Sequence, residues 1–374
     1  MNTPIHEVVL VAGARPNFIK VAPVMAALRR REPRFVVRLV HTGQHYDEQM
    51  SEVFFRELGI PQPDFHLEVG PGSHAAQTAR ILERFEQYLL SLERKPLAVV
   101  VVGDVNSTVA CGLAAAKLDI RVVHLEAGLR SFDRAMPEEI NRLVTDAIAD
   151  LLLVSEPAGE VNLRHEGVAE NRIRFVGNVM IDTLMTELRE ARGLRYAGTL
   201  GLEPQGYAVV TLHRPSNVDD SAQLEALMAF LVQVSARLTV VFPVHPRTRS
   251  RLNEAGWLDR LTSNPAFRIL PPVSYRENLS LLTDSRLVLT DSGGIQEETS
   301  SLGVPCLTLR KNTERPVTVS EGTNTLVGGD LTLAMQLVGD ILAGTYKKRA
   351  SIRGWDGRAS ERVLDALEEM IPPA

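Results

Sequence analysis

Short runs of aliphatic residues recur along the chain, and each is followed by a stretch with helical spacing. In the first half the runs are Val8–Ala12, Phe35–His41, Leu97–Val102, Arg121–His124, Leu151–Val154 and Ile173–Val176. A second series comprises Tyr207–Leu212, Leu238–Val244, Arg268–Leu270, Leu287–Thr290 and Val304–Leu309. A strand that reads as unbroken Val, Ile and Leu is buried on both faces, which predicts a parallel sheet covered by helices. Right-handed βαβ crossovers are the natural connection. Helical spacing is clearest at Ile181, Leu184, Met185 and Leu188, then at Leu224, Leu227, Met228 and Leu231. The final segment, with Val363, Leu364, Leu367, Met370 and Ile371, reads as an amphipathic helix that must dock somewhere. Between the two series, Gly193, Gly198, Gly201, Pro204 and Gly206 crowd together and predict a linker. The expected class is therefore α/β, with two doubly wound parallel-sheet domains. Ligands of such sheets bind beyond the carboxyl ends of the strands, which predicts a site in the cleft between the domains.

Composition narrows the function. A length of 374 residues suits two cores rather than one. With 41 Lys and Arg against 46 Asp and Glu, the chain lacks the basic balance of a nucleic-acid binder. Leu97–Val102 is among the longest apolar runs, far short of the roughly 20 residues that span a bilayer. Glu7 interrupts the first apolar stretch and no basic segment precedes it, so no signal peptide is expected. The predicted location is cytoplasmic, with no membrane partner. Cys111 and Cys306 both lie among apolar residues and read as buried thiols in a reducing compartment. His41 and His45 have no third ligand in register, so neither a metal nor a cofactor is expected.

Several polar residues follow strands, where chemistry would be expected. Gly13-Ala-Arg-Pro-Asn-Phe-Ile-Lys20 places Arg15 at a helix start with Lys20 a turn later, a setting for an anion or a plain βα turn. Asp104, after Leu97–Val102, is either a catalytic carboxylate or a helix cap. Glu126 precedes a glycine at another strand end, where Glu is a poor structural choice. Glu138 and Glu139 open a helix behind Pro137 and suit its dipole, yet chain order brings them to the same sheet edge. Carboxylates gathered in one place raise one another's affinity for protons, which makes them usable near neutral pH. In the second half His213 and His245 each follow a strand. The strongest signal is Asp291-Ser-Gly-Gly-Ile-Gln-Glu-Glu298, a strand entering Ser292, Gly293 and Gly294 and a helix leaving. Backbone N–H groups there can approach a phosphate closely, and Glu298 could accept from two ribose hydroxyls. Arg315, in a later loop, adds a cation.

Taken in order, these motifs resemble the bacterial non-hydrolysing UDP-N-acetylglucosamine 2-epimerases over nearly the whole chain. The resemblance rests on Gly13-Ala-Arg-Pro16 with Lys20, His41-Thr-Gly-Gln-His45, Gly103-Asp104, His124-Leu-Glu-Ala-Gly-Leu-Arg130 and Pro137-Glu-Glu139. It continues through Leu212-His-Arg214, Pro243-Val-His245, Asp291–Glu298 and Thr313-Glu-Arg-Pro316. It implies two Rossmann-like domains of glycosyltransferase-B type, residues 1–178 and 179–357, with a last helix, 358–374, returning to the first. It also implies a homodimer acting on a UDP-sugar for cell-surface polysaccharide synthesis. Ser292, Gly293 and Gly294 would hold the diphosphate and Glu298 the ribose. Arg15, Lys20, His213, His245 and Arg315 would surround the nucleotide. Asp104, Glu126 and Glu138 would face the sugar, with His213 also in the catalytic set. The implied reaction eliminates UDP to a glycal and adds it back with inversion at C2. Pro271-Pro-Val-Ser-Tyr-Arg-Glu-Asn278 departs from the family's usual loop. Gln44 is present, but Asp47 stands where a second Gln is common, so weak or absent activation by substrate is expected. A 2-epimerase of UDP-2,3-diacetamido-2,3-dideoxyglucuronate shares the first two motifs; the intact Glu314-Arg-Pro316 favours UDP-N-acetylglucosamine. A hydrolysing epimerase and a retaining glycosyltransferase are further alternatives.

Overall fold

The computed structural model describes residues 5–43 and 55–371. The chain divides into two compact units, Met1–Met185 with Arg353–Ala374, and Thr186–Ile352. The division falls inside the helix Val179–Leu194.

The first unit holds a parallel sheet of β1 (His6–Ala12), β2 (Phe35–His41), β3 (Phe65–His66), β4 (Ala98–Val102), β5 (Val122–Ala127), β6 (Leu151–Val154) and β7 (Ile173–Phe175). Its order is β3-β2-β1-β4-β5-β6-β7, so the chain winds outward from β1 and then returns to place β4 on the other side of it. The second unit repeats the pattern with β8 (Tyr207–Thr211), β9 (Thr239–Pro243), β10 (Phe267–Leu270), β11 (Leu287–Thr290), β12 (Cys306–Thr308) and β13 (Asn324–Leu326), in the order β10-β9-β8-β11-β12-β13. Each sheet thus has a reversal point, β1/β4 and β8/β11, beyond whose carboxyl ends ligands of such sheets bind.

Both sheets are buried on both faces, as their aliphatic strands require. In the second unit Ala208, Val210, Leu287 and Leu289 pack into one core with Val240 and Phe242. Their neighbours Tyr207, Val209, Val241 and Val288 pack into another on the opposite face. The expected pair of doubly wound parallel sheets is what the chain forms. Sequence pattern did not anticipate β3 or β13, which are only two and three residues long. It also ended the fifth strand at His124, whereas β5 runs on to Ala127 and contains Glu126. Cys111 and Cys306 are buried and free.

The helix Ala359–Glu369 buries Val363, Leu364 and Leu367 and packs on the helix Arg15–Arg29 of the first unit. Asp182 accepts from the backbone N–H groups of Ala359 (3.0 Å) and Ser360 (2.7 Å), capping that helix from outside. Arg362 donates to the Val176 carbonyl at 2.6 Å. Just before, Gly177 and Gly354 cross in contact, both at positive φ. A Cβ on Gly177 would lie 2.1 Å from the Gly354 carbonyl oxygen. Gly177→Ala adds that clash to the cost of a left-handed backbone. It should lower stability by about 2–4 kcal/mol in denaturant unfolding. An unchanged midpoint would refute this account of how the last helix is docked.

Candidate functional site

In the first unit the helix Arg15–Arg29 begins at Arg15. Asn17 shapes the turn before it, accepting from the N–H groups of Gly13 (3.2 Å) and Ala14 (3.0 Å) and donating to the Val102 carbonyl (3.1 Å). One turn on, Lys20 is buried and ion-paired with the buried carboxylate of Glu126. Glu126 sits where the register of β5 against β6 shifts, and its φ is +72°. That left-handed conformation is costly for any residue with a Cβ, and such outliers gather at functional sites. A Cβ built on Gly103 would lie 3.3 Å from Glu126 Oε2 and 3.4 Å from Lys20 Nζ. The pair therefore rests on the backbone next to Asp104. Lys20, expected among the phosphate cations, is engaged by a carboxylate.

Asp104 does not cap the helix that follows. That helix, Asn106–Lys117, has Val105 at its N-cap and no side-chain cap. Asp104 instead pairs with Arg142, a buried cation from the helix Pro137–Ile148. The other end of Arg142 donates to Glu139 at 2.6 Å. Burial opposes a charge on Glu139, but hydrogen bonds from Ser131, Arg142 and the Phe132 backbone outweigh it and hold the carboxyl below its ordinary range. Glu138 is half-buried and has no side-chain partner among the described residues. His124, fully buried in β5, bridges the Asp146 carboxylate (2.6 Å) and the Gly103 carbonyl (2.8 Å). The first unit thus gathers Asp104, Glu126, Lys20 and Arg142 around Gly103, at the reversal point of its sheet.

In the second unit Asp291, just beyond β11, is fully buried. Its carboxylate accepts from the backbone N–H groups of His213 (3.0 Å) and Arg214 (2.9 Å) and from Asn217 Nδ2 (3.1 Å). It also faces His213 Nδ1 at 2.8 Å. Burial works against its charge, yet these donors keep Asp291 below the usual carboxylate range. In the neutral ring, an acceptor at Nδ1 selects the Nδ1–H tautomer and leaves Nε2 free to take a proton. His245 is exposed, and its Nδ1 accepts from the Arg247 N–H at 3.3 Å, capping the helix Pro246–Glu254. Its ring centroid lies 6.2 Å from that of His213.

The helix Gly293–Leu302 starts at the same sheet edge, and its N-cap Ser292 makes no side-chain cap. Its first-turn N–H groups and the helix dipole are those that an anion satisfies. The Arg315 guanidinium lies over this start, 3.2 Å from where a Cβ on Gly293 would stand. Glu297, buried in the same helix, holds Arg315 Nε at 2.8 Å. Gln296 fixes the loop carrying Arg315, accepting from Thr313 (2.7 Å) and from Asn324 (3.1 Å). Glu298 is buried beside Tyr275; burial, then the charge of Glu298, pushes that phenol well above its ordinary range.

Sequence reasoning singled out none of Arg142, Asp291 and Glu297 for a role of its own, and each acts by orienting a residue it did single out. Two lay inside quoted motifs, but only the tertiary pairing shows what they do. Gln44, His45 and Asp47, and the side chain of Arg15, fall outside the described residues. Among the described residues no three His, Cys, Asp or Glu side chains are placed to hold a metal, and no helix is long and apolar enough to cross a membrane.

The family model described as UDP-N-acetylglucosamine 2-epimerase matches residues 26–368. A UDP-N-acetylglucosamine 2-epimerase of Methanocaldococcus jannaschii is 40% identical over 363 residues, 96% of this chain and 98% of the relative. The UDP-2,3-diacetamido-2,3-dideoxy-D-glucuronate 2-epimerase of Pseudomonas aeruginosa is 38% identical over 368 residues, 97% of this chain and all of the relative. A crystal structure of the M. jannaschii UDP-GlcNAc 2-epimerase, in complex with UDP-GlcNAc and UDP, aligns with a TM-score of 0.87 at 40% identity. The alignment covers 97% of this chain and 99% of that one. Motif order, paired parallel sheets and full-length similarity agree: the chain belongs to the UDP-N-acetylglucosamine 2-epimerase family, a family of isomerases.

Proposed function

We propose that the protein interconverts UDP-N-acetylglucosamine and UDP-N-acetylmannosamine by inverting C2 of the sugar. The observation that carries this reading is the full-length match to an epimerase whose structure contains UDP-GlcNAc and UDP. The local chemistry supports it. The C2 proton of the sugar is not acidic, because its neighbours are an amide nitrogen and an acetal carbon. Departure of UDP from C1 develops oxocarbenium character, and that makes the C2 proton removable. Elimination then yields UDP and a glycal; re-addition of UDP with protonation of C2 from the other face gives the epimer. Atoms balance with no redox cofactor.

In this reading the leaving diphosphate lies on the N–H groups of Ser292, Gly293 and Gly294, with Arg315 and Arg15 adding positive charge where charge develops. Glu298 takes the ribose, and His245 lies near the nucleotide. Asp104, Glu126 and Glu138 serve the sugar as base and acid on its two faces. His213, oriented by Asp291, belongs to the same catalytic set. Lys20 maintains Glu126 as a paired carboxylate next to Gly103. The reading includes a cytoplasmic homodimer that supplies an activated amino sugar for a cell-surface polysaccharide; the family resemblance supports these points, and closed dimers are the commonest assembly.

A second substrate has a specific observation in its favour, the 38% identity to the diacetamidoglucuronate epimerase. Incubation with UDP-N-acetylglucosamine alone, followed by proton and phosphorus NMR, decides between them. UDP-N-acetylmannosamine should accumulate to an equilibrium mixture without any acceptor. Free N-acetylmannosamine with UDP would mean a hydrolysing enzyme. No conversion of this sugar, with conversion of UDP-2,3-diacetamido-2,3-dideoxyglucuronate, would establish the second substrate. Arg315→Ala removes the cation over the helix start and should raise KM by about 10- to 100-fold, the worth of one or two charge-assisted hydrogen bonds. An unchanged KM and kcat would remove Arg315 from the diphosphate site.

A further inference from the structure

We propose that Glu139, the second acid of Pro137-Glu-Glu139, is a positioning residue for the reaction: it shares the Arg142 guanidinium with Asp104, so that Asp104 is oriented but only partly neutralised. The proposal rests on the reading that Asp104 acts on the sugar.

Glu139 is buried and held by four donors from the protein, which closes it to a substrate. An ionised carboxylate offers about four acceptor sites. In Glu139, Oε2 accepts from the Ser131 N–H (2.9 Å), the Ser131 hydroxyl (3.0 Å) and Arg142 Nη1 (2.6 Å), and Oε1 accepts from the Phe132 N–H (3.0 Å). The residue is 2% exposed. Its neighbour Glu138 is the opposite case, half-buried with no side-chain partner among the described residues. Adjacent acids on one helix turn thus have different work: Glu138 is open to a ligand, and Glu139 is committed to the protein.

What Glu139 commits to is the placement of Arg142. That side chain is 4% exposed, and its two terminal nitrogens reach different carboxylates, Nη1 to Glu139 and Nη2 to Asp104. A buried cation between two acids divides its attraction between them. With Glu139 neutral, Arg142 would act on Asp104 without that competing carboxylate, and Asp104 would hold its negative charge more firmly. It would then be a weaker base, or an acid that is already ionised. Among the described residues, Lys20, Glu126 and His124 near Asp104 are themselves paired, while Glu138, on the helix of Glu139, has no side-chain partner. Lys20 and Glu126 meet above Gly103, and His124 holds the Gly103 carbonyl with Asp146, Arg130 and Glu166 behind it. The same carboxylate also ties down the loop at Ser131 and Phe132, where Phe132 is held at φ +59°.

Glu139→Gln keeps the size and one acceptor oxygen and removes the charge; Glu139→Asp keeps the charge. Two measurements test the proposal. In the ligand-free protein, the carboxyl carbon of Asp104, assigned with Asp104→Asn, should titrate about one unit lower in Glu139→Gln than in the parent. In Glu139→Asp it should stay near the parent. With UDP-N-acetylglucosamine, Glu139→Gln should lose about tenfold in kcat with KM within threefold, and the limb of the pH–rate profile that reports Asp104 should move down in step. An Asp104 titration that does not move in Glu139→Gln overturns the proposal, whatever happens to kcat. A parent enzyme that leaves UDP-sugars unchanged overturns the activity instead, and the titration still decides the role of Glu139.

Discussion

Charge buried at the end of a parallel strand has to be paired, and the ion pair of Lys20 with Glu126 is the interaction on which the first unit's site depends. Both groups are almost fully out of water. Unpaired, either would carry a desolvation cost of several kcal/mol. The pair connects the first helix to β5 across 106 residues of chain. It also gives a reason for the left-handed backbone at Glu126. A glycine there would relieve the strain but leave Lys20 without a counter-charge. Around the pair, Asn17 shapes the first βα turn, and Arg142 draws Asp104 away from the capping role its position suggests.

The second unit solves a related problem with opposite charge. Its helix Gly293–Leu302 begins without a side-chain cap. Arg315 brings a guanidinium over that open start, paired with Glu297 and held in place by the Gln296 network. A dianionic group is what such an arrangement stabilises best. Asp291 contributes in the same region by accepting from the His213 and Arg214 N–H groups and from Asn217, and by orienting His213. In both units the groups proposed to meet substrate are placed by residues whose own hydrogen-bonding capacity is largely used up.

Much of this was legible in the sequence, for physical reasons. Strands buried on both faces are unbroken aliphatic runs, so β4 and β11 could be read almost to the residue. The Ser292-Gly-Gly294 helix start was readable because it combines local turn chemistry with a strand before and a helix after. What was not legible depends on contacts between distant residues. Nothing local distinguishes Asp104 as a cap from Asp104 as the partner of Arg142, 38 residues on. Nor does anything local show that Lys20 faces a carboxylate, or that β5 bulges and carries Glu126 inside the strand. The short strands β3 and β13 lack enough residues to show any period. Glu139 looked like a helix-dipole acid; its four hydrogen bonds appear only once the loop at Ser131 folds back.

The account stands or falls on the bond between the sugar and the diphosphate breaking while both remain on the enzyme. Positional isotope exchange tests that directly. UDP-N-acetylglucosamine carrying heavy oxygen in the bridge between C1 and the β-phosphorus is incubated with the protein in heavy water. The account predicts that the label spreads into the non-bridging β-phosphate positions and that deuterium enters C2 of the epimer. Epimer formed with the label still wholly in the bridge and with no deuterium at C2 would contradict it.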